Sequence, residues 1–179
     1  PLHALERFDT SPIETRRALT IDEINRLLGV CAHHARLLFE TAFLSGLRAN
    51  ELRSLSTEDL DVQNGGLHLR AEWTKNRQKG FQPLPRNLML RLSEFAESGE
   101  ASRIYDIHYA RKDTVRDIPD SPLLYVPTNT ARVLDEHLKK AGIPKRTPEG
   151  KLDFHACRNA YITLITESDA TLKEAQTLA

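Results

Sequence analysis

Residues 35–55 constrain this chain most. Ala35, Leu37, Leu38, Ala42, Phe43 and Leu44 recur with the period of a buried helix. Gly46 then stands where such a helix must stop, in a left-handed cap that glycine adopts cheaply. A second helix starts at once, with Leu52 and Leu55 on its inner face. The core therefore runs up to a sharp helix–helix join, and Arg48 sits at that join. A helix start favours anions, and a guanidinium adds a planar fork of donors suited to phosphate oxygens. The alternative is that Arg48 pairs with Glu51 three residues on, a surface ion pair of little worth. The spacing alone leaves both open.

The rest of the chain reads as helices around one small sheet. Residues 1–19 are polar and aperiodic, with Pro1 and Pro12, and read as a linker from something upstream. Thr20 and Glu23 form a capping box, followed by Ile21, Ile24, Leu27 and Leu28 at helical spacing. The break at 56–59 leads to a turn, Asn64-Gly65-Gly66, flanked by apolar alternation: a hairpin. Leu67, Leu69, Ala71 and Trp73 alternate with polar residues, which predicts a strand to Trp73. Residues 74–80 read as a polar turn, and 81–85 as an edge strand because of Pro83 and Pro85. Helices follow from Leu88, Leu92, Phe95 and Ala96, over 128–141, and over 154–167, with a basic loop at 145–152. Residues 99–122 show no clear period, and Leu123 to Val126 is a short apolar piece. Thr171 and Glu174 open a further helix with a capping box. The expected fold is mainly α with a small three-stranded antiparallel β-sheet, an α+β domain over 20–179 that is incomplete at its C-terminus.

Lysine plus arginine equals aspartate plus glutamate, 25 against 25, so net charge argues mildly against DNA. The distribution argues the other way. Residues 70–91 hold six basic groups and one acid, Glu72, a local balance of 6 − 1 = +5. Residues 139–158 hold six against two, Glu149 and Asp153. Arg70, Arg77, Lys79, Lys145, Arg146 and Lys151 are the candidate DNA-contacting residues, with a solvated charged face as the plain alternative. No apolar run is long enough for a membrane span, and Cys31 and Cys157 lack metal-ligand spacing. Two thiols in a chain of this size suggest a reducing compartment.

Ser45-Gly46-Leu47-Arg48-Ala49-Asn50-Glu51-Leu52-Arg53-Ser54-Leu55 resembles the first conserved box of the tyrosine recombinases, the phage-integrase family. Ser45 stands where that box usually has Thr. Lys75, in the turn between two strands, resembles the family's β-hairpin lysine, with Lys79 second on the same turn; a solvated hairpin lysine is the bland reading. Asp153-Phe154-His155-Ala156-Cys157-Arg158 resembles the second box. His155 and Arg158 then share one helix face. Two other His-x-x-Arg matches, His33/Arg36 and His108/Arg111, read as surface pairs. Cys157 and Asn159 depart from the family's usual Leu and His.

The resemblance implies a reaction. A tyrosine attacks a DNA phosphodiester, giving a 3′-phosphotyrosyl link and a free 5′-OH, with no metal and no cofactor. It assigns Arg48 and Arg158 to the phosphate oxygens, His155 to hydrogen bonding and acid/base work, and Lys75 to protonation of the leaving oxygen. Glu51 and Asn159 take supporting places. It implies double-stranded DNA as partner, a homo-tetramer on that DNA, no membrane, and a bacterial, cytoplasmic, nucleoid-associated setting. The family's last His or Trp and its nucleophilic Tyr find no match. Tyr161, three residues past Arg158, reads as core. A non-catalytic DNA-binding or accessory protein that kept the fold stays open, as does a plain helical interaction domain.

Overall fold

The computed structural model describes residues 15–74, 77–109 and 118–167. The expectations for the linker over 1–14, for Lys75 and for the capping box at Thr171 fall outside them. Seven α-helices lie among the described residues: α1 (Ile21–Gly29), α2 (His33–Ser45), α3 (Ala49–Ser54), α4 (Arg86–Ser98), α5 (Glu100–Tyr109), α6 (Thr130–Lys140) and α7 (Ala156–Glu167). Three short strands, β1 (Leu60–Asp61), β2 (Gly66–Leu69) and β3 (Gly80–Pro83), form an antiparallel sheet in chain order. A second hairpin joins β4 (Arg146–Thr147) to β5 (Gly150–Lys151). None of the described helices is long and apolar enough to cross a membrane.

Helix α2 is the axis. Leu37, Leu38, Phe39, Ala42 and Phe43 are buried on successive turns, and even Glu40 and Thr41 are covered. Helix α7 packs along it, α4 crosses it, and α6 reaches it where His137 meets the Phe39 ring edge-on at 5.4 Å. Glu40 joins α2 to α4 by accepting from Arg36 on its own helix and pairing with Arg91. At the other end, Gly46 caps α2 at φ 63° and the chain turns into α3. Ser45 supplies the hydroxyl this join uses: it donates to the Thr41 carbonyl and accepts from the Leu47 N–H at 3.2 Å.

The capping box at Thr20 and Glu23 forms as the spacing predicts. Arg17 lays its fork on the Glu23 carboxylate at 2.8 and 2.9 Å and also donates to the Pro144 carbonyl. The sheet is shorter than the alternation suggested. Strand β2 ends at Leu69, and the chain turns at Arg70, whose carbonyl accepts from the Trp73 N–H. Ala71 and Trp73 are half-buried by that turn, so the alternation is real but its later half is not strand. Gln82, buried opposite Leu67, donates to the Tyr161 hydroxyl at 2.9 Å and ties the sheet to α7.

Further differences matter. The stretch without a clear period contains α5, whose Ala101 and Tyr105 are buried; the Tyr105 hydroxyl accepts from the Val126 N–H. The loop at 145–152 folds into the β4–β5 hairpin. Helix α7 starts at Ala156, two residues later than the apolar period implied. Of the other His-x-x-Arg matches, Arg36 bonds Glu40 while the His33 ring lies against Phe95; Arg111 falls outside the described residues, and the His108 ring lies against Tyr125.

Candidate active site

A cavity of about 420 Å³ opens where α2 ends, α3 begins and α7 begins. Arg48, Glu51, Trp73, Thr74, His155 and Arg158 are among its lining residues. These come from three sequence segments, each more than twenty residues from the next, and Thr130 adds a fourth.

Arg48 is the N-cap residue of α3. Glu51 is buried and holds it twice, accepting from the Arg48 backbone N–H at 2.7 Å and from Nη1 at 3.0 Å. Of the two readings of the Arg48–Glu51 spacing, the ion pair does form, but it is not a plain surface pair. Its carboxylate is desolvated, and a charge-assisted bond to a buried acceptor fixes the guanidinium's base. The remaining donors border the cavity. Helix α3 has only six residues, so the local positive field comes from the arginine and not from a helix dipole.

Arg158 lies in the first turn of α7 and donates from Nη1 to the Gly46 carbonyl at 2.6 Å. Gly46 is needed twice here. Its φ is left-handed, and a Cβ would stand 2.3 Å from the Tyr161 ring. The missing side chain lets α7 approach the end of α2, which carries Arg158 toward Arg48. Partial burial and the neighbouring Arg48 charge hold the Arg158 guanidinium below its usual range. Two cations kept together with part of their water removed favour any anion that enters between them.

His155 stands just before α7 and is more exposed. Partial desolvation holds its imidazole below the ordinary value; Asp153 opposes this, while Arg16, Arg158 and Arg48 add to it. The free site therefore favours the neutral ring at neutral pH. Asn159 is half-buried, and its N–H donates to the His155 carbonyl within the helix.

Lys75 lies outside the described residues. Its neighbour Thr74 lines the cavity and closes the loop, accepting from the Gln78 N–H at 3.0 Å and donating to the Gln78 carbonyl at 2.8 Å. Arg77 and Lys79 are exposed past that point, with Arg77 at φ 52°. Arg70 turns the other way: Nε donates to Asp59 at 2.8 Å and Nη2 to the Ser56 hydroxyl at 2.7 Å. Lys145 pairs with Asp135, Arg146 is exposed and Lys151 half-buried on the second hairpin.

Trp73, Asn50, Phe154 and Thr130 also line the cavity and were not singled out from the sequence. For Trp73 the signal was present, an aromatic two residues before the hairpin lysine, but alternation assigned it to a strand face. Thr130, at the start of α6, arrives by tertiary packing and leaves no local trace. Tyr161 is buried, as its position on the apolar stripe implied.

The model of the phage integrase family matches residues 17–179. A curated relative, the tyrosine recombinase XerA of Pyrococcus furiosus, is 27% identical over 176 residues, covering 90% of this chain and 52% of its own length. The chain thus spans about half of that relative. Among solved structures, a crystal structure of XerA recombinase matches with TM-score 0.68 and 19% identity, over 93% of this chain and 57% of the other. The lambda integrase catalytic core matches with TM-score 0.65 and 18% identity, over 91% and 90%. At these identities the structural likeness establishes the fold, a mostly helical core with a small antiparallel sheet, while the family match covers nearly all of the chain. The chain belongs to the phage integrase family.

Proposed function

We propose that this domain binds a duplex DNA phosphodiester in the cavity and activates it for site-specific strand exchange. The observation that carries this reading is the meeting of Arg48, His155 and Arg158 at one hollow from distant segments. Attack on phosphorus adds negative charge to the non-bridging oxygens, and two arginines already held there stabilise that state more than the ground state. In this reading His155 hydrogen-bonds the phosphate and Lys75 gives its proton to the leaving 5′-oxygen as the P–O5′ bond breaks. Glu51 keeps Arg48 aimed, and Asn159 supports the first turn of α7. Arg77, Lys79, Arg146, Lys151, Lys145 and Arg70 follow the DNA backbone, the last two with part of their charge already engaged. The assembly on DNA is a homo-tetramer, and the chemistry calls for neither metal nor cofactor. A lambda integrase and a XerH recombinase have been solved with DNA or a named DNA substrate, which supports DNA as the partner here.

The attacking tyrosine is not Tyr105, Tyr125 or Tyr161. The Tyr161 hydroxyl is occupied by Gln82 in a buried contact and Tyr105 by Val126, and none of the three lines the cavity. In this reading the domain binds and polarises a phosphodiester, and none of these three tyrosines forms a covalent link to it. The test uses labelled duplex and suicide DNA substrates. Duplex affinity should fall about tenfold or more in Arg48→Ala and in Arg158→Ala, the loss of a charge-assisted contact. A denaturing gel should show no slow-migrating adduct. Unchanged affinity in both variants would end the phosphate-binding reading. An adduct that vanishes in Tyr161→Phe would place the nucleophile on α7.

A further inference from the structure

Residues 15–17 do not simply lead into α1. They run beside the second hairpin as a further strand: the Lys151 N–H donates to the Thr15 carbonyl at 2.9 Å, the Arg17 N–H donates to the Lys151 carbonyl at 3.2 Å, and Arg16 pairs with Lys151 in parallel. Gly150 makes the approach possible. Its φ is +138°, and a Cβ there would sit 2.6 Å from the Thr15 carbonyl oxygen. Four residues beyond β5 comes His155. Leu152 is fully buried and its N–H donates to the Lys145 carbonyl, so the chain has little slack on the way.

Arg16 also reaches the segment that carries His155. Its Nε donates to Asp153 Oδ2 at 2.7 Å. Asp153 Oδ1 is buried with no hydrogen-bond partner among the described residues, so Arg16 is the cation that orients this carboxylate. The Asp153 carbonyl accepts from the Ala156 N–H and starts the turn that presents His155.

We propose that Arg16 is a positioning residue for His155: by clamping Asp153 while its own strand is stitched to β5, it sets where the imidazole stands at the cavity rim. The role rests on the phosphate-binding reading for its purpose, but not for its measurement. With its side chain 62% exposed, Arg16 contributes little stability, as exposed ion pairs do. What it contributes is orientation. The segment reaching the domain at residue 15 is thereby coupled to the site, so a pull on that strand moves His155 before it disturbs the core.

The groups facing His155 are Asp153 before it, Arg16 from the added strand, Arg158 from α7 and Arg48 from the start of α3. Deleting Arg16 removes a cation and releases a carboxylate, so the imidazole's midpoint should rise. A purely electrostatic neighbour would do the same, and two variants separate the cases. Gly150→Ala pushes the strand away without touching any charge, and the midpoint should rise as in Arg16→Ala. In the Asp153→Asn background the clamp is already open, so adding Arg16→Ala should change the midpoint little. The experiment follows the His155 ring by NMR through pH, assigned by its loss in His155→Gln, alongside thermal melts and duplex binding.

Strict additivity of Arg16→Ala and Asp153→Asn, or a folded Gly150→Ala protein with an unmoved midpoint, overturns the positioning role. If Gly150→Ala does not fold, the additivity result decides by itself. Loss of the phosphate-binding reading would appear separately, as duplex affinity insensitive to Arg48→Ala and Arg158→Ala, and would leave the titration result standing.

Discussion

At the scale of single residues, the site is set by what is missing as much as by what is charged. Gly46 has no Cβ, and both the left-handed cap and the Tyr161 ring depend on that. Gly46→Ala should destabilise the fold by about 2–4 kcal/mol, combining left-handed strain with overpacking; denaturant melts would measure it. Tyr161→Phe removes the acceptor for Gln82 and should cost about 1 kcal/mol. Glu51→Gln keeps the shape but not the charge. It should lower both stability and duplex affinity, whereas a plain surface pair would change neither. His155 gives a pH signature. Its folded value lies below 6.5, so its neutral-state contribution to stability is present above that value and lost as pH falls. An arriving phosphate reverses the bias and draws a proton onto the ring. Duplex affinity should therefore strengthen as pH drops from about 8 toward 6, and His155→Ala should flatten that dependence.

At the scale of elements, α1 is fastened by its first turn. Arg17 bonds the Glu23 carboxylate with both arms while Glu23 returns to the Thr20 N–H, and that carboxyl is held below its usual range chiefly by Arg17. The sign follows: this contribution is whole above pH about 4.5 and fades as pH falls through the folded value. Arg17→Ala should cost about 1–3 kcal/mol at pH 7 and progressively less in acid, read from melts at several pH values. This capping box was legible in the sequence because it is local, as were α2, its glycine stop and the Asn64-Gly65 turn. Helix α5 was not. Ala101, Ile104 and Tyr105 supply its inner stripe, but Ile107, at 77% exposure, breaks the pattern with an apolar residue on the wet side. Strands β4 and β5 are two residues each, too short for alternation to register. The first and second boxes were legible because they sit at element ends, where glycine, aspartate and basic residues leave a signature. Trp73 and Thr130 were not, because only the packing of distant elements brings them to the cavity.

At the scale of the whole molecule, zero net charge hides two basic stretches at the two hairpins. If these follow the DNA backbone, affinity should fall steeply with salt, and Arg77→Glu with Lys79→Glu should weaken all duplexes alike. A filter-binding salt titration checks both, since a sequence-selective loss would mean base contacts instead. Trp73 stands between the cavity and a smaller cleft that holds Arg70 and Asp59. It is the one tryptophan in the chain. Nature has thereby placed an intrinsic fluorophore at the wall of the site, with no second indole to dilute its signal. Its emission should change when a duplex or a phosphate analogue fills the hollow, stay unchanged in Arg48→Ala under the same conditions, and so report occupancy in unlabelled protein.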